Sequence, residues 1–273
     1  MNFLGRIAAA PGGGAGLVIL SLLVLAAFSA HAFFPGDPLR ITGPALVPPF
    51  SSGDFPLGTD RLGRDVLACL MHGAGISLLV GIAAATAAIL LGVVVGALSG
   101  FAGGFIDECL MRVVETFQIV PGFLLALAFA SVFGASLPVI ILAIALAAWA
   151  EPARLTRAQV LSIREQDYVA SARVLGMHPL EIAFREILPN ALAPVLALAA
   201  LMVAGAILTE AALSFLGLGD PNVVTWGSMI AEGRNVIRSA PFLSIFPGVA
   251  LMVTVLGVYL FSEGLGHALR ERP

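Results

Sequence analysis

The chain has 273 residues, of which 59% are apolar and 11% are charged, against about 25% charged in an average soluble domain. With a mean hydropathy of +1.01, this composition excludes a water-soluble globule. The formal net charge is −3 and all 14 basic residues are arginines, which excludes a cationic nucleic-acid surface and the lysine of a phosphate-binding loop.

Six apolar runs are long enough to cross about 30 Å of hydrocarbon, which takes roughly 20 helical residues. They cover about residues 16–34, 76–100, 111–133, 137–155, 191–213 and 242–261. The third and fourth runs are separated by a tight turn at Gly134, Ser136 and Pro138. Because backbone groups in lipid must be satisfied internally, the sequence predicts an all-α integral membrane protein with six transmembrane helices, none of them broken.

The first run permits two interpretations. Arg6, the apolar core and Ala30-His31-Ala32 together have the pattern of a cleavable signal peptide. The run is nevertheless long enough to span the membrane, so we expect an uncleaved first helix.

The arginines predict the orientation, because cytoplasmic segments carry the excess of positive charge. With the N-terminus inside, nine arginines lie on the inner side (Arg6, Arg112, Arg154, Arg157, Arg164, Arg173, Arg185, Arg270, Arg272) and five on the outer side (Arg40, Arg61, Arg64, Arg234, Arg238). Both termini are therefore expected in the cytoplasm. Residues 1–15 form a cytoplasmic N-terminus, 16–268 a single transmembrane domain and 269–273 a cytoplasmic tail. Within the domain we predict an outer segment at 35–75, a cytoplasmic loop at 156–190 and an outer loop at 214–241.

The only two cysteines are too few for a thiolate metal site. Cys69 is predicted near the outer face and Cys109 near the inner face, so they cannot bridge.

A charged motif follows the first span, with the sequence LGTDRLGRDVL at residues 57–67. Thr59 or Asp60 can cap a helix there. Asp60 with Arg64, and Arg61 with Asp65, are then pairs four residues apart on one helical face. By itself the motif is typical of a solvated interfacial helix with weak ion pairs.

The loop between the fourth and fifth spans predicts a helix, a sharp turn and a second helix. A helix over residues 166–175 ends at Gly176, which adopts the left-handed cap conformation without a Cβ clash. His178 and Pro179 begin the second helix, and Pro189 is expected to end it before the fifth span. An amphipathic loop lying on the membrane surface is the alternative interpretation.

A third motif follows the fifth span. It runs EAALSFLGLG from Glu210 to Gly219, then Asp220-Pro221, with Trp226-Gly227 further on. Taken alone it indicates a helix exit, with Trp226 in the interfacial aromatic belt.

The cytoplasmic loop resembles the signature of the permeases of binding-protein-dependent ATP-binding cassette importers. Ala170-Ser171-Ala172, Gly176 and Leu188-Pro189 have the expected spacing, with Ala170 in place of a glutamate and Glu186 in place of an isoleucine. The resemblance implies that this loop couples the membrane helices to an ATPase subunit. The coupling residues would be Ala170, Ser171, Ala172, Gly176, Met177, His178, Pro179, Leu188 and Pro189.

The two outer motifs resemble the peptide and nickel branch of these permeases, and within it the second of the two paired permease subunits. The matching residues are Gly58, Thr59, Asp60, Gly63, Arg64, Asp65, Trp226 and Gly227. Together, the three motifs extend the resemblance from about residue 57 to the C-terminus.

The resemblance implies the fold of a type I importer permease in the bacterial cytoplasmic (inner) membrane, surrounded by lipid. The chain would form half of a translocation pathway for di- or oligopeptides, or alternatively for nickel or metal chelates. Its partners would be a homologous second permease, an extracytoplasmic substrate-binding protein and two cytoplasmic ATPase subunits that bind ATP and Mg. No cofactor, metal, nucleic acid or catalytic residue is expected in this chain, and its substrate-binding residues stay unassigned.

An ion-coupled secondary transporter is the alternative of another class. It requires paired ionisable groups at the membrane midplane and often discontinuous helices, and the sequence indicates neither. The glutamates near span ends are expected at the interfaces, and the histidines are expected to pack rather than bind metal. The glutamates are Glu115, Glu151, Glu210 and Glu263, and the histidines are His31, His72, His178 and His267.

Overall fold

The computed structural model describes residues 3–270 and is helical along most of that range. The α-helices are α1 (Phe3–Ala9), α2 (Gly13–Phe33), α3 (Val66–Ala102), α4 (Gly104–Ile119), α5 (Gly122–Phe133), α6 (Leu137–Ala148), α7 (Ala150–Arg164), α8 (Asp167–Val174), α9 (Pro179–Ile182), α10 (Leu188–Phe215), α11 (Trp226–Gly233) and α12 (Phe242–Arg270). A π-helical turn, Ala183–Ile187, joins α9 to α10, and a 3₁₀ turn, Arg234–Val236, follows α11. Arg272 and the end of the predicted tail lie outside the described residues.

Four of the predicted spans are confirmed as single long helices. They are α2, α3, the continuous stretch from α9 to the end of α10, and α12. Helix α3 begins ten residues before the predicted span because Asp65 caps it, accepting hydrogen bonds from the amides of Leu67 (2.8 Å) and Ala68 (3.4 Å). The hydropathy pattern therefore located these spans, and the cap residue decided where α3 begins.

The third predicted span is not one helix. It consists of α4 and α5, which meet at an angle of 86°. Val120, between them, is extended (φ −84°, ψ 128°) and precedes Pro121, which has no amide hydrogen for a helical bond. The prediction of a continuous helix over 111–133 is therefore wrong.

The fourth predicted span is bent as well. Helices α6 and α7 meet at 43°, next to Trp149. Pro152 lies four residues after Ala148, and a proline ring crowds the carbonyl group four residues before it, which accounts for the bend. The prediction of one straight helix over 137–155, and with it the expectation that no span is broken, is wrong.

Helix α3 is the centre of the bundle and packs on α2, α6, α7 and α10. Its contact with α7 is unusually close because glycines face it. A Cβ on Gly96 would overlap the carbonyl oxygen of Ala153, and one on Gly100 would meet Val160 at 2.7 Å. Small residues at such spacing let two membrane helices touch backbone to backbone, which fixes α7 and the loop that follows it.

The loops gather at two ends of the bundle. At the predicted outer end, the amide of Leu137 donates to Asp220 (2.9 Å), which joins the turn between α5 and α6 to the loop after α10. At the predicted cytoplasmic end, the guanidinium of Arg164 donates to the carbonyl oxygen of Gly100 (3.1 Å), joining α7 to the end of α3. We call these the outer and inner ends.

Candidate functional site

The inner end carries a compact helix–turn–helix of residues 167–182, which we call the knuckle. Gly176 has φ +81° and follows α8 in a full Schellman arrangement. The amide of Met177 donates to Ala172 O (3.2 Å), and the amide of Gly176 donates to Arg173 O (3.0 Å). The prediction that Gly176 ends the first helix in a left-handed cap is confirmed.

The second helix of the knuckle begins as predicted. His178 is the N-cap of α9, its Nδ1 atom accepting a hydrogen bond from the amide of Leu180 (3.3 Å), and Pro179 is in the first turn. A fixed φ and a missing amide hydrogen cost nothing at that position, so proline favours the restart of the helix. The turn is therefore specified on both sides, by Gly176 and by His178-Pro179.

The base of the knuckle is packed onto the membrane helices. Val169 and Ala172 of α8 are buried in a cluster with Val160 of α7 and Ile187, with Met177 against its edge. The remaining members of the cluster are Ile182 and Ala191. Because this apolar base ties the knuckle to α7 and α10, a force on the knuckle reaches two membrane helices directly.

A polar contact fixes the same base at its rim. The side chain of Asn190 donates to the backbone oxygen of Glu186 (2.7 Å), and the Tyr168 hydroxyl lies 3.5 Å from the same oxygen. Tyr168 belongs to α8 and Asn190 to α10. These bonds therefore connect the knuckle to the start of the fifth span.

The tip of the knuckle is apolar and exposed. Val174 and Leu175, on either side of the helix end, are 88% and 83% exposed, and Leu180 is 63% exposed. Ala170 and Ser171 of the signature are exposed on α8, whereas Ala172 faces the base. Large apolar side chains grouped on a polar loop indicate a surface that another protein covers.

Pro189 does not end the second helix, and that prediction is wrong. The chain continues from α9 through the π turn into α10, with the amide of Leu188 donating to Ala183 O, five residues back. The wider turn just before the proline makes room for its ring. Leu188 and Pro189 therefore lie in the first turn of the fifth span rather than at a break.

The first outer motif folds into a tight turn, not the predicted helix. Thr59 and Asp65 pair as an isolated antiparallel bridge, and Asp60 accepts hydrogen bonds from the amides of Leu62 (2.8 Å) and Arg64 (2.9 Å). The ion pair of Asp60 with Arg64 forms (3.2 Å) but closes this turn. The predicted pair of Arg61 with Asp65 is absent from the ion pairs of residues 3–270.

The glycines of this motif are enclosed by backbone. Gly58 (φ +81°) and Gly63 (φ +83°) face the carbonyl oxygens of Val47 and Gly43, and a Cβ on either would overlap them. Thr59 is fully buried, donating to Pro44 O (2.6 Å) and accepting from the amide of Val47 (2.9 Å). The motif therefore folds the segment after α2 into an ordered cover over the outer end.

The second outer motif forms a buried polar network. Glu210, 1% exposed on α10, accepts hydrogen bonds from the hydroxyls of Ser214 (2.6 Å) and Thr225 (2.7 Å). Thr225 also caps α11 in a capping box with Ser228. The expectation that Glu210 lies at an interface is wrong: the loop after α10 folds back and buries it.

Trp226 and Gly227 fasten this loop to the bundle. Trp226 is buried rather than in an interfacial belt, with its indole Nε1–H donating to Leu70 O (3.0 Å) and its amide donating to the Ser77 hydroxyl (3.2 Å). A Cβ on Gly227 would lie 2.5 Å from Ala211 Cα. Helix α11 thus rests directly on α3 and α10.

The two outer motifs meet. Arg64 of the first reaches Glu232 at the end of α11 (3.4 Å), and a cavity of about 420 Å³ lies between the two segments. Asp220 lines it. Partial desolvation acts to raise the pKa of Asp220, but hydrogen bonds from Asn222 and Leu137 hold that pKa below its ordinary value.

The sequence analysis did not predict one ion pair at the inner end. Asp107 of α4 receives two hydrogen bonds from Arg157 of α7, both at 2.6 Å, and a third from the hydroxyl of Ser99. The bidentate pair joins α4 to α7, and the bond from Ser99 adds α3, so the three helices are tied together near the knuckle. Asp107 and Arg157 are 50 residues apart, so no local pattern could pair them.

Comparisons with known proteins agree with this architecture. The model of the family described as binding-protein-dependent transport system inner membrane component matches residues 88–272. The chain is 36% identical to the dipeptide transport system permease of Alkalihalophilus pseudofirmus, over 93% of this chain and 85% of that one. It is also 36% identical to the oligopeptide transport system permease of Bacillus subtilis, over 93% and 83%.

Two further comparisons broaden the picture. The glutathione transport system permease of Pectobacterium atrosepticum is 34% identical, over 93% of this chain and 85% of that one. Among solved structures, the MetNI methionine ABC transporter in an inward facing conformation has a chain that matches with a TM-score of 0.60 at 18% identity, over 74% of this chain and 95% of that one. At that identity the match establishes the fold: the helices are arranged as in a membrane subunit of that transporter.

Proposed function

Because the chain belongs to the family of binding-protein-dependent transport system inner membrane components, we propose that it forms half of the membrane pathway of an ATP-driven importer of di- or oligopeptides. The chain is a multi-pass membrane protein, and the family description supports the bacterial inner membrane as its location. The names of its dipeptide and oligopeptide relatives support the peptide cargo.

The partners follow from the same proposal. A homologous second permease completes the pathway, an extracytoplasmic binding protein delivers the peptide, and two cytoplasmic ATPases bind ATP and Mg. The chain itself is a non-catalytic subunit. Its outer end offers the binding protein an ordered surface, because the first outer motif and α11 are held together by Arg64 and Glu232.

The observation that best supports this function is the exposed apolar tip of the knuckle. Val174 and Leu175 project from a turn whose base is packed on α7 and α10. A rigid element transmits a displacement that a flexible loop would absorb. The knuckle therefore couples closure of the ATPase dimer to movement of the helices around the pathway.

Reconstitution tests the function directly. In proteoliposomes that contain the permease pair, the ATPases and the binding protein, we expect uptake of a labelled dipeptide. This uptake should require ATP in the compartment that the ATPase subunits face. The chain without its partners should give none. Uptake by the chain alone, driven by an ion gradient and indifferent to ATP, would instead make it a secondary transporter.

The role of the knuckle is tested separately. Leu175→Ser should weaken retention of the ATPase by the solubilised permease pair about tenfold or more, since full burial of a leucine side chain contributes about 1.5–3 kcal/mol. Ile237→Ser is the matched control, because Ile237 is a large apolar residue, 54% exposed, on the outer loop. Equal ATPase retention in both variants would refute the coupling role.

A further inference from the structure

A second cavity opens on the side of the bundle, away from both ends, and Glu151, Leu201 and Gly205 in its lining are exposed. It has a volume of about 310 Å³ and forms where α5 begins after Pro121 and where α6 bends into α7. Its lining includes Gly122, Glu151, Met202, Gly205 and Thr209. The two bends in the chain therefore converge on one space.

The cavity is at membrane depth. Helix α10 has 28 residues and is about 42 Å long at 1.5 Å per residue, and Met202 and Gly205 lie near its middle. Because the hydrocarbon layer is about 30 Å thick, the middle of such a helix is far from either headgroup region. A polar group that lines the cavity is consequently surrounded by hydrocarbon, by protein or by water that the protein encloses.

Glu151 is the charged group in that lining, and it lies deeper than the interface position that the sequence analysis expected for it. It is exposed on the first turn of α7, and no side chain that the structure describes forms an ion pair or hydrogen bond with it. Arg154, one turn further along, donates instead to Gln118 (3.1 Å). The neighbouring backbone is fixed, because Pro152 and Ala153 are buried where α7 packs on Gly92.

An unpaired carboxylate at this depth is costly if it faces lipid tails, and such groups face an aqueous cavity or a cation. The structure offers the cavity. Its other walls are apolar, apart from the hydroxyl of Thr209, which donates to Gly205 O (2.8 Å) and keeps lone pairs free to accept. The site therefore presents acceptors and a negative charge, surrounded by adaptable side chains such as Met202.

We propose that Glu151 is a binding subsite within the translocation pathway for the cationic group of the cargo, an amino terminus or a basic side chain. This inference rests on the proposed function, since it places a cargo in the cavity. Every unblocked peptide carries an ammonium group, whatever its side chains. One carboxylate against apolar walls thus binds the group that peptides share and tolerates the groups in which they differ.

The rate at which charged thiol reagents modify a cysteine in the cavity reports whether water reaches the cavity and which charge it carries. This measurement does not require transport. Gly205→Cys is the reporter, because a Cβ there meets no atom within 4 Å. Cys109 is exposed and is replaced by serine in the background, whereas Cys69 is buried. In the assembled transporter, a cationic methanethiosulfonate should modify the reporter about fivefold faster than an anionic one of equal size, owing to the nearby carboxylate.

Two variants make that result specific. Glu151→Gln should abolish the preference for the cationic reagent, whereas Glu115→Gln, an exposed glutamate on α4 outside the cavity lining, should preserve it. Leu142→Cys, exposed on α6 outside the lining, should react with neither reagent. A reporter no more reactive than Leu142→Cys, or a preference that survives Glu151→Gln, overturns the proposal.

Cargo contact is tested with peptide supplied on saturating binding protein, which removes selection at the delivery step. Glu151→Gln should lower uptake per transporter about tenfold for a peptide with a free amino terminus, and Glu151→Asp should restore most of it. The same loss for an N-acetylated cargo without basic side chains would overturn the proposal and indicate an ion pair with another subunit. If the unaltered transporter imports no peptide, the proposed function fails while the thiol result still stands.

Discussion

The two outer motifs and the knuckle use glycine in opposite ways. At the outer end, Gly58 and Gly63 are pressed against carbonyl oxygens, and Gly227 against Ala211 Cα. At the inner end, Gly176 has the same left-handed backbone, but nothing lies within 4 Å of where its Cβ would be. Gly58, Gly63 and Gly227 thus satisfy the packing of this chain, whereas Gly176 shapes a projection.

The apolar side chains differ in the same sense. Trp226 at the outer end is buried and hydrogen-bonded, whereas Val174 and Leu175 at the inner end are exposed. A region that completes its own packing serves the stability of the chain. A region that is rigid at its base and apolar at its tip serves a contact with another subunit.

The largest expected effect breaks the outer packing. Gly58→Ala combines an unfavourable positive φ with overlap on Val47 O and should cost about 3 kcal/mol or more of stability. Gly53→Ala is the matched control in the same segment, because nothing lies within 4 Å of its Cβ position. Thermal unfolding of the purified transporter in detergent measures both, and equal unfolding temperatures would contradict the account.

Gly176→Val tests the inner end. The left-handed backbone costs a β-branched residue about 1–2 kcal/mol, so the turn should shift, and uptake per ATP hydrolysed should fall about tenfold while membrane insertion stays normal. The control is Gly134→Val, since Gly134 (φ +97°) is equally open but lies on the outer turn. Normal coupling in Gly176→Val, or equal uncoupling in both, would argue against the assigned role.

A smaller effect is expected from the outer polar network. Glu210→Ala removes the acceptor of Ser214 and Thr225 and should lower stability by about 1–3 kcal/mol. Glu210→Gln keeps an oxygen acceptor and should cost less. The unfolding temperature should therefore be highest for the wild type, lower for Glu210→Gln and lowest for Glu210→Ala. The control is Glu108→Ala, an exposed change on α4, which should keep the wild-type unfolding temperature.

The smallest expected effect comes from a comparison of two ion pairs, each between residues four apart in the sequence. Asp60–Arg64 has side chains 11–12% exposed, whereas Glu181–Arg185 of the knuckle (2.5 Å) has side chains 38% and 73% exposed. Arg185→Gln should change stability by less than about 0.5 kcal/mol, and Arg64→Gln by about 1 kcal/mol or more. The reverse order in thermal unfolding would mean that the ion pairs of Arg64 with Asp60 and Glu232 do not stabilise the outer end.

Hydropathy and capping rules predicted the parts of the fold that depend on local sequence. Apolar runs located the four long helices and the two bent helix pairs, and Gly176 with His178-Pro179 specified the knuckle turn. Pro121 and Pro152 are in the sequence and indicate the two bends. The apolar runs around them are long enough to span the membrane, and their length favoured the prediction of continuous helices. The bends matter because they form the cavity beside Glu151.

Features that arise from long-range packing could not be predicted. The ion pair of Asp60 with Arg64 was expected on a helix and formed in a turn, since Thr59 and the glycines bond to residues 43–47 instead. Glu210 is near a span end by hydropathy, and its burial follows from a loop that returns with Thr225. Neither contact leaves a periodic signal along the chain.

Crosslinking from the knuckle tip tests the central claim most directly. A photoreactive amino acid at Val174 in the assembled transporter should attach to the ATPase subunit, while the same group at Ile237 on the outer loop should not. Attachment of Val174 to lipid alone, with the ATPase recovered from another site on this chain, would contradict the claim that the knuckle receives the mechanical work.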